Sequence, residues 1–221
     1  QTSPVVSGCT CQPDLTVDPT RLLAIPNPAA EGAALQVRAV VRNLGGSASP
    51  PASVRLYAAD PRANAQVLGE TSLPAIASGA EEPVELNVSR LQLAGDQTFY
   101  VYADAALQVS EQSENNNLGL LPLRVLRLPD LASSLAGVVL TPSAPASGQP
   151  VELRVGVRNL GEQPAVASSL EVEVGGVTVA AGVVPALGPG ASTEVVINWT
   201  WGGSASSVRI RIDATALVGE G

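Results

Sequence analysis

LQVRAVVRNLG, residues 35–45, and VELRVGVRNLG, residues 151–161, are two versions of one segment. In the first, Leu35, Val37, Ala39 and Val41 fall on one side of an extended chain and Gln36, Arg38, Val40 and Arg42 on the other. In the second, Val151, Leu153, Val155 and Val157 repeat the apolar phase. A period of two is that of a strand with one face buried. Asn43 and Asn159, each followed by Leu-Gly, read as structural turn residues at the strand end.

Outward from this pair, the repetition continues. The PDL at residue 13 returns at 129 and the VRNLG at 41 returns at 157, both 116 residues later. LPAIASGAEEPVELNVS (73–89) aligns with VPALGPGASTEVVINWT (184–200), and YADAALQVSE (102–111) with RIDATALVGE (211–220). The offset shrinks along the chain, which places short deletions in loops of the second copy. SVRLYAA, EPVELNVS, QTFYVYAD and LLPLRVLRL read as further strands of the first copy, and SLEVEVGG, VTVAAGVV, TEVVINWTW and SVRIRIDA as those of the second. Gly, Pro, Asn and Ser clusters separate them, and no long stretch has helical period. About seven short strands in about a hundred residues predict an all-β chain of two tandem immunoglobulin-like or fibronectin-type sandwiches. The expected division is an arm at 1–12, a first sandwich at 13–127 and a second at 128–221. Trp199 and Trp201, in phase with Val195 and Ile197, are expected in the second core rather than on a sugar-stacking surface.

Composition narrows the chemistry. The 221 residues include no histidine, methionine or lysine, and aromatics make up 3%. Without histidine there is no Ser-His-Asp or Cys-His machinery and no histidine-bearing zinc site. Without lysine there is no Schiff base and no P-loop lysine. A non-enzyme without cofactors is expected. The net charge of −8, with all twelve basic residues arginines scattered along strands, argues against nucleic-acid or anionic-lipid partners. No apolar run reaches membrane-spanning length. A chain without an initiator methionine leads to the expectation of a cleaved secretory leader and an extracellular, secreted or cell-surface location.

In this order, PDL, a Pro/Gly spacer, V-x-V-x-V-R-N-x-G, and an aspartate-bearing strand leading to E-x-x-E-N-N resemble the CARDB family, the cell adhesion related domain of bacteria and archaea. The resemblance covers nearly all of 13–221 as two copies, the second lacking the E-N-N segment. It implies immunoglobulin-like sandwiches on extracellular proteins, used in tandem, with no catalytic residues to carry over.

Asp104, Glu111 and Glu114, with Asn115, Asn116 and Asn117, form an acidic-amide cluster whose oxygens are a candidate for calcium. Their spacing matches no known calcium loop, so no metal site is expected and a solvated turn is the preferred reading. Asn87 in NVS and Asn198 in NWT are aligned sequons on outward strand positions, candidates for glycosylation or simply polar surface. Cys9 and Cys11, in SGCTCQ, are candidates for a local disulfide or for pairing with another arm.

The first copy continues through NNNLGLLPLRVLRL, whereas in the second Glu220 matches Glu111 and only Gly221 follows. About one strand is therefore expected to be missing from the second sandwich. The arm, with Val5, Val6, Cys9 and Cys11, is long enough to supply it, and Ile210, Ile212, Ala214 and Leu217 are the candidate acceptor edge. A head-to-tail homopolymer, a surface filament, follows if the arm completes a neighbour. The alternative is a monomeric adhesive or ligand-presenting module of a larger cell-surface protein, contacting a surface or another extracellular protein.

Overall fold

The computed structural model describes residues 11–63, 65–203 and 207–219. The chain forms two compact units, one ending at Val125 and the next beginning at Leu126. Both are β-sandwiches, as the alternating segments predict.

The first unit contains β1 (Leu15–Val17), β2 (Leu23–Ile25), β3 (Ala29–Ala30), β4 (Leu35–Asn43), β5 (Ala52–Tyr57), β6 (Val67–Leu73), β7 (Glu81–Val88), β8 (Gly95–Ala103) and β9 (Leu118–Leu126). In one sheet β4 is central: β1 and β2 pair along one side of it and β7 along the other. The facing sheet runs β3-β9-β8-β5-β6. Leu35, Val37, Ala39 and Val41 point between the sheets, each at most 2% exposed. Against them lie Val54 and Leu56 of β5, Phe99 and Val101 of β8, and Leu121, Leu123 and Val125 of β9. Burying such side chains contributes about 1.5–3 kcal/mol each, which makes this alternation the main source of stability.

The second unit contains β10 (Leu131–Ala132), β11 (Val138–Thr141), β12 (Pro150–Asn159), β13 (Ser168–Val174), β14 (Val177–Val184), β15 (Ser192–Thr200) and β16 (Val208–Ile212). Its first sheet repeats the pattern, with β10 and β11 on one side of β12 and β15 on the other. Its second sheet has three strands, β14-β13-β16. Val151, Leu153, Val155 and Val157 are at most 2% exposed, and Trp201 is buried while Trp199 packs partly buried against the same core. The two indole rings lie 6.5 Å apart and tilted, in keeping with core packing. β6 is a strand that the alternation did not mark: along VLGETSL only Leu73 is buried.

Candidate functional site

Three arrangements occur in both units, and the way they differ defines the site. The first is a clip around the VRNLG asparagine. Asn43, fully buried, accepts from the backbone N–H of Asp14 and Gly45 through Oδ1, at 3.0 Å each. Its Nδ2 donates to the carbonyls of Ser47 and Ile76 at 2.8 and 2.9 Å. Asn159 does the same with Asp130, Gly161, Gln163 and Leu187. One amide thereby ties the PDL segment, the strand end and the loop before the next strand. The glycine two residues on is needed for space: a Cβ at Gly45 would fall 2.3 Å from the Gln12 carbonyl oxygen, and one at Gly161 2.1 Å from that of Leu128. Sequence reading placed both asparagines in turns as structural residues; the network of partners is what it missed.

The second arrangement is an aspartate turn after β8 and β16. Asp104 and Asp213 adopt φ of 47° and 51°, a region that aspartate tolerates better than most residues. Asp104 accepts from the N–H of Gln108 and Val109, and Asp213 from those of Leu217 and Val218. The turn folds Val109 and Val218 into their cores. In the first unit this turn is covered. Asp104 is 0% and Glu111 8% exposed, so at these two residues the expected solvated turn is not found; Glu114 is exposed. Part of the cover comes from a residue distant in sequence: Glu111 accepts from the N–H of Leu15 through Oε2, and, six residues on, from Nδ2 of Asn117 through Oε1 at 2.9 Å. Burial, opposed by these two hydrogen bonds and reinforced by the charges of Glu114 and Asp104, pushes the Glu111 carboxyl up to about 7.

The third arrangement is the lane between the sheets next to β8 or β16. In the first unit β9 fills it, pairing antiparallel with β8 so that Phe99 faces Leu121 and Gly95 faces Val125. Gly119 of β9 comes so close to β1 that a Cβ there would lie 2.6 Å from Val17. In the second unit, among the described residues, β16 pairs only with β13. Beside its other edge lies an apolar groove of about 540 Å³, lined by Leu131, Val138, Leu140 and Leu153 from one sheet and Val208, Ile210 and Ile212 from the other, with Ser133 and Ser134 at its rim. Of the predicted acceptor residues, Ile210 and Ile212 line this groove. Ala214 and Leu217 do not: the strand ends at Ile212, and the Asp213 turn carries Leu217 to the surface, 62% exposed. The side of the groove contributed by β10 and β11 was missed, because no local pattern tells which residues of the facing sheet a strand will meet.

The CARDB family model matches residues 12–119 and again 128–221. The chain belongs to the CARDB family. Among solved structures it is similar to the crystal structure of a CARDB domain from Pyrococcus furiosus in complex with di-metal ions, at 23% identity over 57% of this chain and 99% of that one, TM-score 0.42. It is also similar to the solution structure of a domain from Methanosarcina acetivorans, provisionally described as from a cell surface protein, at 20% identity over 52% and 93% of the two chains, TM-score 0.40. Nothing among curated protein sequences matches it.

CARDB is a non-catalytic family of cell-surface domains, and no helix among the described residues is long and apolar enough to cross a membrane. Of the remaining predicted positions in these CARDB domains, Asn87 and Asn198 are exposed on β7 and β15. Cys11 is exposed and sits against Gly46, whose N–H donates to the Gln12 carbonyl. Val5, Val6 and Cys9 lie outside the described residues.

Proposed function

We propose that this tandem CARDB chain is a non-enzymatic extracellular structural subunit that assembles head to tail into a surface filament, the N-terminal arm of one copy adding as a strand beside β16 of the next. The groove next to β16 carries this reading. It has the position of β9 in the other domain, apolar walls from both sheets, and a strand edge that, among the described residues, pairs with no second strand.

The arm is argued as occupant from its place and length. Cys11 and Gln12 lie against the first domain and at least ten residues precede them, while a strand needs about five or six. In an extended arm Val5, Ser7 and Cys9 share one phase and would face the groove, with Val6 on the outer side. Their apolar content is smaller than that of Leu121, Leu123 and Val125 in β9, so each junction is expected to be weaker than an internal strand. A heterologous junction of this kind propagates unless it closes into a ring.

The test is negative-stain electron microscopy and light scattering of the full chain beside a variant lacking residues 2–10, which keeps Cys11 and Gln12 in place. Fibres from the full chain and dispersed particles from the variant are the expected pair. An Ile210→Cys, Cys11→Ser variant should also form a disulfide from Cys9 to the introduced thiol of another copy under mild oxidation. Monomers in both samples, or fibres that survive loss of the arm, would overturn the reading in favour of a monomeric adhesive module or of a different donor.

A further inference from the structure

We propose that the first CARDB domain holds a calcium ion between the carboxylates of Asp104, Glu111 and Glu114 and the side-chain oxygen of Asn117. One carboxylate oxygen from each acidic residue lies within 4.8 Å of the others. The three come from different places: the end of β8, the loop beyond it, and the approach to β9. Carboxylates held this close, two of them on buried residues, disfavour one another's ionisation, and a bound cation would relieve that. Among the described residues no arginine forms an ion pair with any of them.

Asn117 is the independent observation. It is fully buried, and its Nδ2 donates to Glu111 at 2.9 Å, which fixes the amide against the cluster. Its Oδ1, on the same amide, has no hydrogen-bond partner. A buried amide oxygen without a donor is costly, and coordination to a cation removes that cost. The donor set is all oxygen, and the chain has no histidine, which turns selection away from zinc and copper. Ligands drawn from a strand end and an irregular loop suit the irregular, six- to eight-oxygen shell of calcium better than the strict octahedron of magnesium. Glu114, exposed, provides the entry and the last carboxylate.

In the second domain Asp213 repeats the turn of Asp104, and Glu220, which aligns with Glu111, lies outside the described residues. Tyr57, Tyr100 and Tyr102 all lie in the first domain and Trp199 and Trp201 in the second, so tyrosine and tryptophan emission follow the two domains separately.

The experiment is calorimetric titration of the EDTA-treated full chain with calcium chloride, followed by thermal melts read in both emissions. Expected are one saturable site per chain and a rise of several degrees in the tyrosine-reported midpoint at saturating calcium, with the tryptophan-reported midpoint unmoved. Glu114→Gln, on an exposed residue and so expected to fold, should weaken calcium binding by about tenfold or more. Absence of saturable binding at millimolar calcium would overturn the proposal. So would an equal midpoint shift with sodium chloride at matched ionic strength, or parental affinity in Glu114→Gln.

Discussion

Phe99, Val101 and Ala103 on β8 are 0% exposed, whereas their counterparts in the repeat, Val208, Ile210 and Ile212 on β16, are 36% exposed or half-buried. Both strands carry apolar side chains at alternate positions, and both pair with the same neighbour in the sheet, β5 in one domain and β13 in the other. What differs is the strand on the far side. β9 closes the first core with Leu121, Leu123 and Val125; beside β16 the corresponding space is a groove. Alternation therefore encodes which face of a strand can be buried, and the next strand decides whether it is. An edge of this kind, apolar on one face and, among the described residues, without a strand on its far side, is the kind that strand addition uses.

The largest expected effect tests that difference directly. Phe99→Ala should destabilise the first domain by about 3–5 kcal/mol, the range for a fully enclosed phenylalanine. Val208→Ala, at the open counterpart, should cost the second domain under about 1 kcal/mol. Urea unfolding followed by tyrosine emission for the first domain and tryptophan emission for the second reads both. A cost for Val208→Ala as large as that of Ile or Val in a closed core would mean that the lane is covered in solution, and dilution would then show whether a second copy covers it.

The asparagine clips should break the comparison in the opposite sense, by behaving alike. Asn43→Ala and Asn159→Ala each strand two backbone N–H groups and two carbonyls. At about 1 kcal/mol or more for each unsatisfied group, reduced where water can enter, a loss of about 2–4 kcal/mol is expected in each domain. Asn43→Asp, which sets a carboxylate oxygen against the Ser47 and Ile76 carbonyls in a fully buried site, should recover none of that loss. A large loss in only one domain would show that the other tolerates release of its PDL segment.

What the sequence reveals follows the range of the interactions. β4 and β12 were legible to the residue because a period of two is local and their inward sets are the centre of each core. β6 was not, because its single buried residue, Leu73, leaves no alternation to read. β1 and β10 are only three and two residues long and exist because an asparagine some thirty residues later holds them. The same holds at the sites. Ile210 and Ile212 could be placed on an open edge by aligning the repeats, but the β10–β11 wall facing them depends on how two sheets pack. The burial of Glu111 depends on the N–H of Leu15, 96 residues away, and nothing in the string SEQSENNN announces it.

Amide exchange should resolve the open edge residue by residue. The β16 N–H groups directed away from β13 are expected to exchange at least about tenfold faster than the matching groups of β8, which β9 protects. Mixing in a peptide of residues 1–12 should slow them if the arm is the partner. A peptide of the β9 sequence, residues 118–126, provides the stronger apolar ladder and should slow them further. Protection by the β9 peptide alone would sharpen the comparison: the groove would accept a strand, and the arm would not be the one it selects.

The smallest effect concerns charge pairs that the two domains share. Arg38 meets Glu85 at 3.0 Å across β4 and β7, and its counterpart Arg154 meets Glu194 at 2.8 Å across β12 and β15. Arg154 also reaches Glu152 at 2.8 Å, where the first domain has Gln36 in the same position. All of these side chains are at least one-third exposed, so water and salt screen them and their attraction is largely offset by the entropy of holding long side chains still. Arg38→Gln and Arg154→Gln should each leave the midpoint of the affected domain within about 2 °C of the parent, with any difference vanishing in high salt. Because the extra carboxylate beside Arg154 lies on an open polar face, doubling the partners should not double the effect. A clear loss on Arg154→Gln with none on Arg38→Gln would show instead that the second domain, with an open lane in its other sheet, depends on its surface charges in a way the closed first domain does not.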